Sequence, residues 1–343
     1  MAVHGFRRTL LPAAIAAASM TAGGHATAQT VPLHYESLSS VEEPLAVDVG
    51  DATFILTGLV DARWTVDTEG DDDTDAGLIG NFQINALTQL ANRWRVDLSY
   101  FGQHASDPTS VFGTGDGYTD NAALSVASYW GTVSGGNVSG LVREQTRRLR
   151  SAGNAVLAFD DFLGALQDRS AGYTGRFGPW IVSAAVDEDG DLDLGAIFQR
   201  PAGTRDWRVA LRAVEGTFVP AGGRRLDSRG FGIVGEVIYG STTVDAGAAH
   251  EHFWSKGNNA DRWYVASGVR TKTGALTLSL EGQIGRIEGK GEASAALGVQ
   301  YDVARGLSAN LGLNHAKARV IHDDARFLDI EETKTVLSLR YSF

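Results

Sequence analysis

Apolar and polar residues alternate with a period of two from about residue 51 to the end of the chain. In 52–66, Ala52, Phe54, Leu56, Val60 and Trp64 alternate with Thr53, Thr57, Asp61, Arg63 and Thr65. Leu276, Leu278, Leu280 and Ile284 oppose Thr277, Ser279, Glu281 and Gln283. This pattern predicts strands with one apolar and one polar face. Sixteen segments carry it: 51–66, 77–90, 94–104, 120–130, 132–143, 169–177, 180–187, 191–199, 206–215, 228–239, 241–252, 261–271, 274–286, 291–302, 307–319 and 332–343. Most approach the roughly 9–11 residues that a tilted strand needs to cross a bilayer. An even count suits a barrel with both termini on one side.

The connections alternate in length as well. Short turns lie near 91–93, 131, 178–179, 200–205, 240, 272–273 and 303–306. Between them fall mostly longer polar loops at 67–76, 105–119, 144–168, 216–227, 253–260 and 320–331. Aromatic residues gather at the strand ends. Trp94, Trp130, Trp180, Trp207, Tyr239, Tyr301, Tyr341 and Phe343 mark the short-turn rim. Trp64, Phe101, Phe218, Phe231, Trp254 and Trp263 are expected at the other. Amphipathic rings favour the membrane–water interface, so two girdles are expected. The reading is therefore all-β: a 16-stranded antiparallel transmembrane β-barrel over 51–343, with its long third loop folded inward. A soluble exported β-protein is the structural rival, but a sandwich core gives no reason for two girdles.

The N-terminus changes the picture of where the chain goes. Arg7-Arg8, an apolar run from Leu10 to Met20 and Ala26-Thr27-Ala28 have the order of a secretory signal peptide, read as residues 1–28. Without it the chain holds neither Met nor Cys, so disulfides cannot stabilise the exported protein. Residues 29–50 are too polar and irregular for a lipid-facing strand and read as a periplasmic arm or an interior segment.

Loop 144–168 is the longest connection, and loops of this length are usually functional or disordered. It carries Val156, Leu157, Phe159, Phe162 and Leu163, which need a surface to pack on. Arg143 precedes it, and Arg147, Arg148, Arg150, Asp160 and Asp161 lie within it. By parity Arg63, Arg95, Asp97, Arg208, Arg212 and Arg340 face the lumen. Charges lining a narrow, low-dielectric passage focus the field and bias which ions enter.

Three stretches carry a family resemblance: Trp130-Gly131-Thr132-Val133-Ser134-Gly135-Gly136, Asp168-Arg169-Ser170-Ala171-Gly172-Tyr173 after the long insertion, and the terminal Tyr341-Ser342-Phe343. With the strand count and loop placement, they resemble the general diffusion porins of Gram-negative outer membranes, in the alphaproteobacterial type. The resemblance implies an outer-membrane channel for passive diffusion of ions and small hydrophilic solutes. It implies a homotrimer among outer-membrane lipid and lipopolysaccharide, with Phe343 as the assembly signal. It further implies an eyelet in which Asp160 and Asp161 face basic groups, with Arg143, Arg147, Arg148 and Arg150 the nearest. The arginines at the start of the loop depart from the family's pattern. No nucleic acid is expected among the partners.

Other signals add little. The acidic runs 71–75 and 187–193 leave loop-bound calcium open, although the second lacks the EF-hand glutamate; no other cofactor is expected. His250-Glu251-His252 lacks a nearby third metal ligand. Neither G-x-S-x-G nor a P-loop occurs, so no catalytic residue is assigned. A substrate-selective porin with a lumenal binding track and an outer-membrane barrel enzyme remain the rival functions.

Overall fold

The structure is a computed structural model, and it describes residues 44–68, 74–105, 117–149, 151–167, 169–202, 205–219, 225–255, 258–322 and 326–343. The expected signal peptide, residues 29–43, Asp71, Asp72, Asp73, Arg150 and Asp168 lie outside the described residues. The strands begin with β1 (Leu45–Val49), β2 (Ala52–Asp67), β3 (Thr74–Gln89), β4 (Arg95–Ala105), β5 (Gly117–Ser128) and β6 (Gly131–Gly136). Helix α1 (Leu141–Thr146) follows, then β7 (Ser170–Phe177), β8 (Trp180–Asp187), β9 (Leu192–Ala202), β10 (Arg205–Phe218) and β11 (Leu226–Tyr239). The last are β12 (Thr242–Ser255), β13 (Asn258–Thr273), β14 (Leu276–Ile287), β15 (Lys290–Ala304), β16 (Leu307–His322) and β17 (Arg326–Ser342).

From β2 to β17 each strand pairs antiparallel with the next, giving sixteen staves. The ring closes where β17 meets β2, from Lys334 opposite Asp67 to Ser342 opposite Leu59. Gly58 and Phe343 then exchange backbone hydrogen bonds of 2.8 and 3.0 Å. Closure removes the unpaired edges that an open sheet would present to lipid.

The two faces settle the architecture. On β14, Leu280 is 56% and Ile284 63% exposed, whereas Glu281 and Gln283 keep 6% and 2%. The apolar face looks outward and the polar face is enclosed, the reverse of a water-soluble sandwich. At the short-turn rim, Trp94, Trp130 and Tyr173 form one aromatic chain and Trp180, Phe198 and Trp207 another. Phe101 and Phe218, expected in the opposite girdle, instead point inward. Each shares parity with lumenal groups, Asp97 and Arg212, and Phe218 packs on Phe253 inside the wall.

Several boundaries differ from expectation. The segment expected as strand 132–143 stops at Gly136, whose φ of +121° breaks the ladder; the chain turns inward and forms α1. The loops expected at 67–76, 105–119, 216–227, 253–260 and 320–331 are shorter, because the flanking strands run into them. Backbone pairing needs no alternation of side chains, so hydrogen-bonded strands continue where the alternation has ended. Finally, Leu45–Val49 of the expected arm pairs with Ala52–Leu56. It covers the edge of β2 that β17 leaves bare below Phe343, and its apolar side chains are exposed.

Candidate functional site

Between β6 and β7 the chain enters the barrel and follows the inner wall. Val142 and Leu141 of α1 are buried, and Val142 packs with Leu166 and Ala185. At Gly195 on β9 a Cβ would lie 2.8 Å from Val142 and Thr146, so glycine lets the helix approach. Farther along, the Ala152 N–H donates to Ser279 at 2.7 Å and the Val156 N–H to Asn314 at 2.7 Å. The Asn154 side chain donates to Ser338 and accepts from Arg340. Here too the backbones touch: a Cβ on Gly312 would fall 2.2 Å from Asn154. The return arm follows β13, β12 and β10. Glu251 accepts from the N–H groups of Leu163 and Gly164, and Ala165 forms a β-bridge with Thr217. The Gln167 N–H then donates to Asp187 at 2.8 Å. The loop is thus tied to the wall from β8 round to β17.

Most of the expected loop charges meet here. Arg143 on α1 pairs with Asp161 at 2.5 Å, and Arg212 reaches the other Asp161 oxygen at 2.9 Å. Arg212 also grips Asp193 on β9. Arg148 lies between Asp245, Asp160 and Glu281. Arg147 pairs with Glu144, and its carbonyl accepts from Arg208, which also pairs with Glu236. A second cluster forms where Arg63 and Arg340 share Asp61; Arg340 links it to the loop through Asn154. Arg95 and Asp97 face inward on β4, and Asp97 accepts from Ser99.

Exposure grades these groups. The side chains of Arg143, Asp160 and Asp161 are 46%, 29% and 20% exposed, whereas those of Arg148 and Arg212 are sealed against the wall. Burial pushes Asp160 up to about 6; Asp161's charge adds to this and Arg148 opposes it. Asp161 is also raised by burial, but Arg143 and Arg212 outweigh that and hold it below the ordinary carboxylate range. The acid pair therefore combines one carboxylate held ionised by its arginines with one whose pKa is raised to about 6.

Several groups outside the expected set complete the site: Asp61, Asn154, Asp193, Glu236, Asp245, Glu251, Arg262, Glu281 and Glu292. For those on strands the signal is lumenal parity; Asn154, on the loop, carries none. Glu251 lies on the inner face while its neighbours His250 and His252 face outward toward Asp261. In the 187–193 turn, Asp187 accepts backbone N–H groups, Asp189 pairs with Arg225 and Asp193 with Arg212. Among the described residues no group of three His, Cys, Asp or Glu is disposed to hold a metal ion.

No family model and no curated protein matches the sequence. Solved structures do match. The trimer form of OmpT, an outer-membrane protein of Vibrio cholerae, superposes with a TM-score of 0.67 at 12% identity, over 85% of this chain and 99% of that one. The anion-selective porin of Comamonas acidovorans gives 0.63 at 14%, over 85% and 100%. A double mutant of the Rh. blastica porin gives 0.51 at 14%, over 84% and 100%. At these identities the likeness speaks for the fold, and the chain has the porin fold.

Proposed function

We propose that the chain is an outer-membrane porin: a water-filled channel for passive diffusion of ions and small hydrophilic solutes, assembled as a homotrimer. The observation that carries this reading is the loop of paired charges laid along the polar interior of an outwardly apolar barrel. Such a barrel is stable only with lipid, or another apolar surface, around its wall. Its enclosed polar face and the partly exposed Arg143, Asp160 and Asp161 make a hydrated, charged constriction. Nothing in this function calls for a chemical step, so no residue is given a catalytic role. The trimeric form of the V. cholerae structural neighbour supports the assembly. The export signal read at 1–28 supports the destination, and Phe343, sealing the seam at Gly58, fits the role of assembly signal.

Reversal potentials in planar bilayers test the reading. The wild type conducts, and the Asp160→Asn/Asp161→Asn variant moves selectivity toward anions. A conducting variant with an unchanged potential overturns the assignment of the constriction. A folded wild type that does not conduct overturns the channel itself.

A further inference from the structure

Arg262 on β13 has no exposed surface, yet it holds the tip of the inward loop twice over. Its Nη1 donates to the Asp161 carbonyl at 2.8 Å and its Nη2 to the Phe159 carbonyl. One planar group thus ties both carbonyls that flank Asp160. Phe159 has a φ of +63°, a left-handed conformation that a phenylalanine keeps only when its surroundings impose it. The guanidinium is itself fixed: Nε donates to Glu292 at 3.0 Å, Nη1 lies 3.4 Å from Glu251, and the Tyr264 ring faces it. Glu251 also receives the Leu163 and Gly164 N–H groups, so the same assembly holds the chain on both sides of Phe162.

The geometry points to Arg262 as the positioning residue of the constriction. This rests on the channel reading above and deepens it. Arg262 touches neither ion nor solute; it sets the direction in which Asp160 and Asp161 project. A rigid fork of donors is what this task requires, and only arginine supplies one. A lysine keeps the charge between Glu251 and Glu292, but a single ammonium does not span both carbonyls and both carboxylates. A buried ion group of this kind is weak evidence for stability, and conformational specificity is the better account of it here.

The test is Arg262→Lys in the full chain, purified in detergent and recorded in planar bilayers, with heat-modifiable gel migration as the readout of folding. The expected result is a folded barrel whose open-channel current is noisier. Its cation-to-anion permeability ratio moves by about twofold or more toward that of Asp161→Asn, because the fixed charges no longer sit in one place. A second variant, Arg262→Met with Glu251→Gln and Glu292→Gln, removes the buried charges together, so no uncompensated acid is left to unfold the barrel. It is expected to give the same electrical signature. Wild-type noise and selectivity in either folded variant, while Asp161→Asn still shifts selectivity, overturns the positioning role and leaves the channel reading standing. A wild type that does not conduct removes the channel reading itself.

Discussion

Asp161→Asn removes the carboxylate that Arg143 and Arg212 share, at 2.5 and 2.9 Å, while keeping the size of the side chain. Its effect on permeating ions follows from Coulomb's law. A unit charge about 5 Å from an ion in water contributes about 0.8 kcal/mol. Screening at about 0.1 M salt leaves about 0.5 kcal/mol. That is a factor of about 2 in the local concentration of a monovalent ion, with opposite sign for cation and anion. The cation-to-anion permeability ratio should therefore fall about fivefold, and by more where the walls lower the effective dielectric. The assay is the reversal potential across a salt gradient, with Glu188→Gln in an exposed turn as control. Arg143→Gln should move the ratio the opposite way, and the double variant should lie near the wild type. A folded, conducting Asp161→Asn channel with the wild-type potential would mean that Asp161 does not act on the permeating ions.

Three further outcomes are expected. Asp160 is pushed up to about 6, so its charge is lost as pH falls through that value, where an ordinary aspartate stays ionised; cation preference should drop between pH 7.5 and 5, and Asp160→Asn should make the drop smaller. Gly312→Val places a Cβ where the Asn154 backbone lies and pushes the loop from the wall into the passage, so single-channel conductance should fall. Gly235→Val, in open space on the outer face, should leave it unchanged. Phe343→Ala removes a ring packed over Gly58 at the seam and should cost about 1–2 kcal/mol in urea unfolding of the detergent-bound barrel; an unchanged midpoint would separate the ring from closure.

Much of the wall was legible because alternation is enforced wherever lipid meets one face and a wet interior the other. Parity alone placed Arg63, Arg208, Arg212 and Arg340 inside. What alternation could not report lies where lipid stops acting. Strands β16 and β17 stay paired as far as His322 and Arg326, where pairs such as Val320-Ile321 and Phe327-Leu328 break the strict alternation. Helix α1 was hidden in the strand expected at 132–143, because Val138, Leu141 and Val142 follow helical spacing for too few residues to outweigh the strand before them. The pairing within the site was illegible for another reason. Arg262 and Glu292 are 30 residues apart, and Arg148 and Asp245 are 97 apart, so only closure of the barrel brings them together. Ring chemistry alone suits Phe101 and Phe218 to a girdle, but Phe101 follows the parity of Asp97 and Phe218 lies on an extension of β10 that keeps the parity of Arg212.

The channel is tested most directly by a planar-bilayer recording of the purified, folded protein. A wet pore gives discrete current steps that are linear in voltage and grow in proportion to salt concentration, as bulk diffusion requires. A folded barrel that inserts into the bilayer and produces no steps would contradict it.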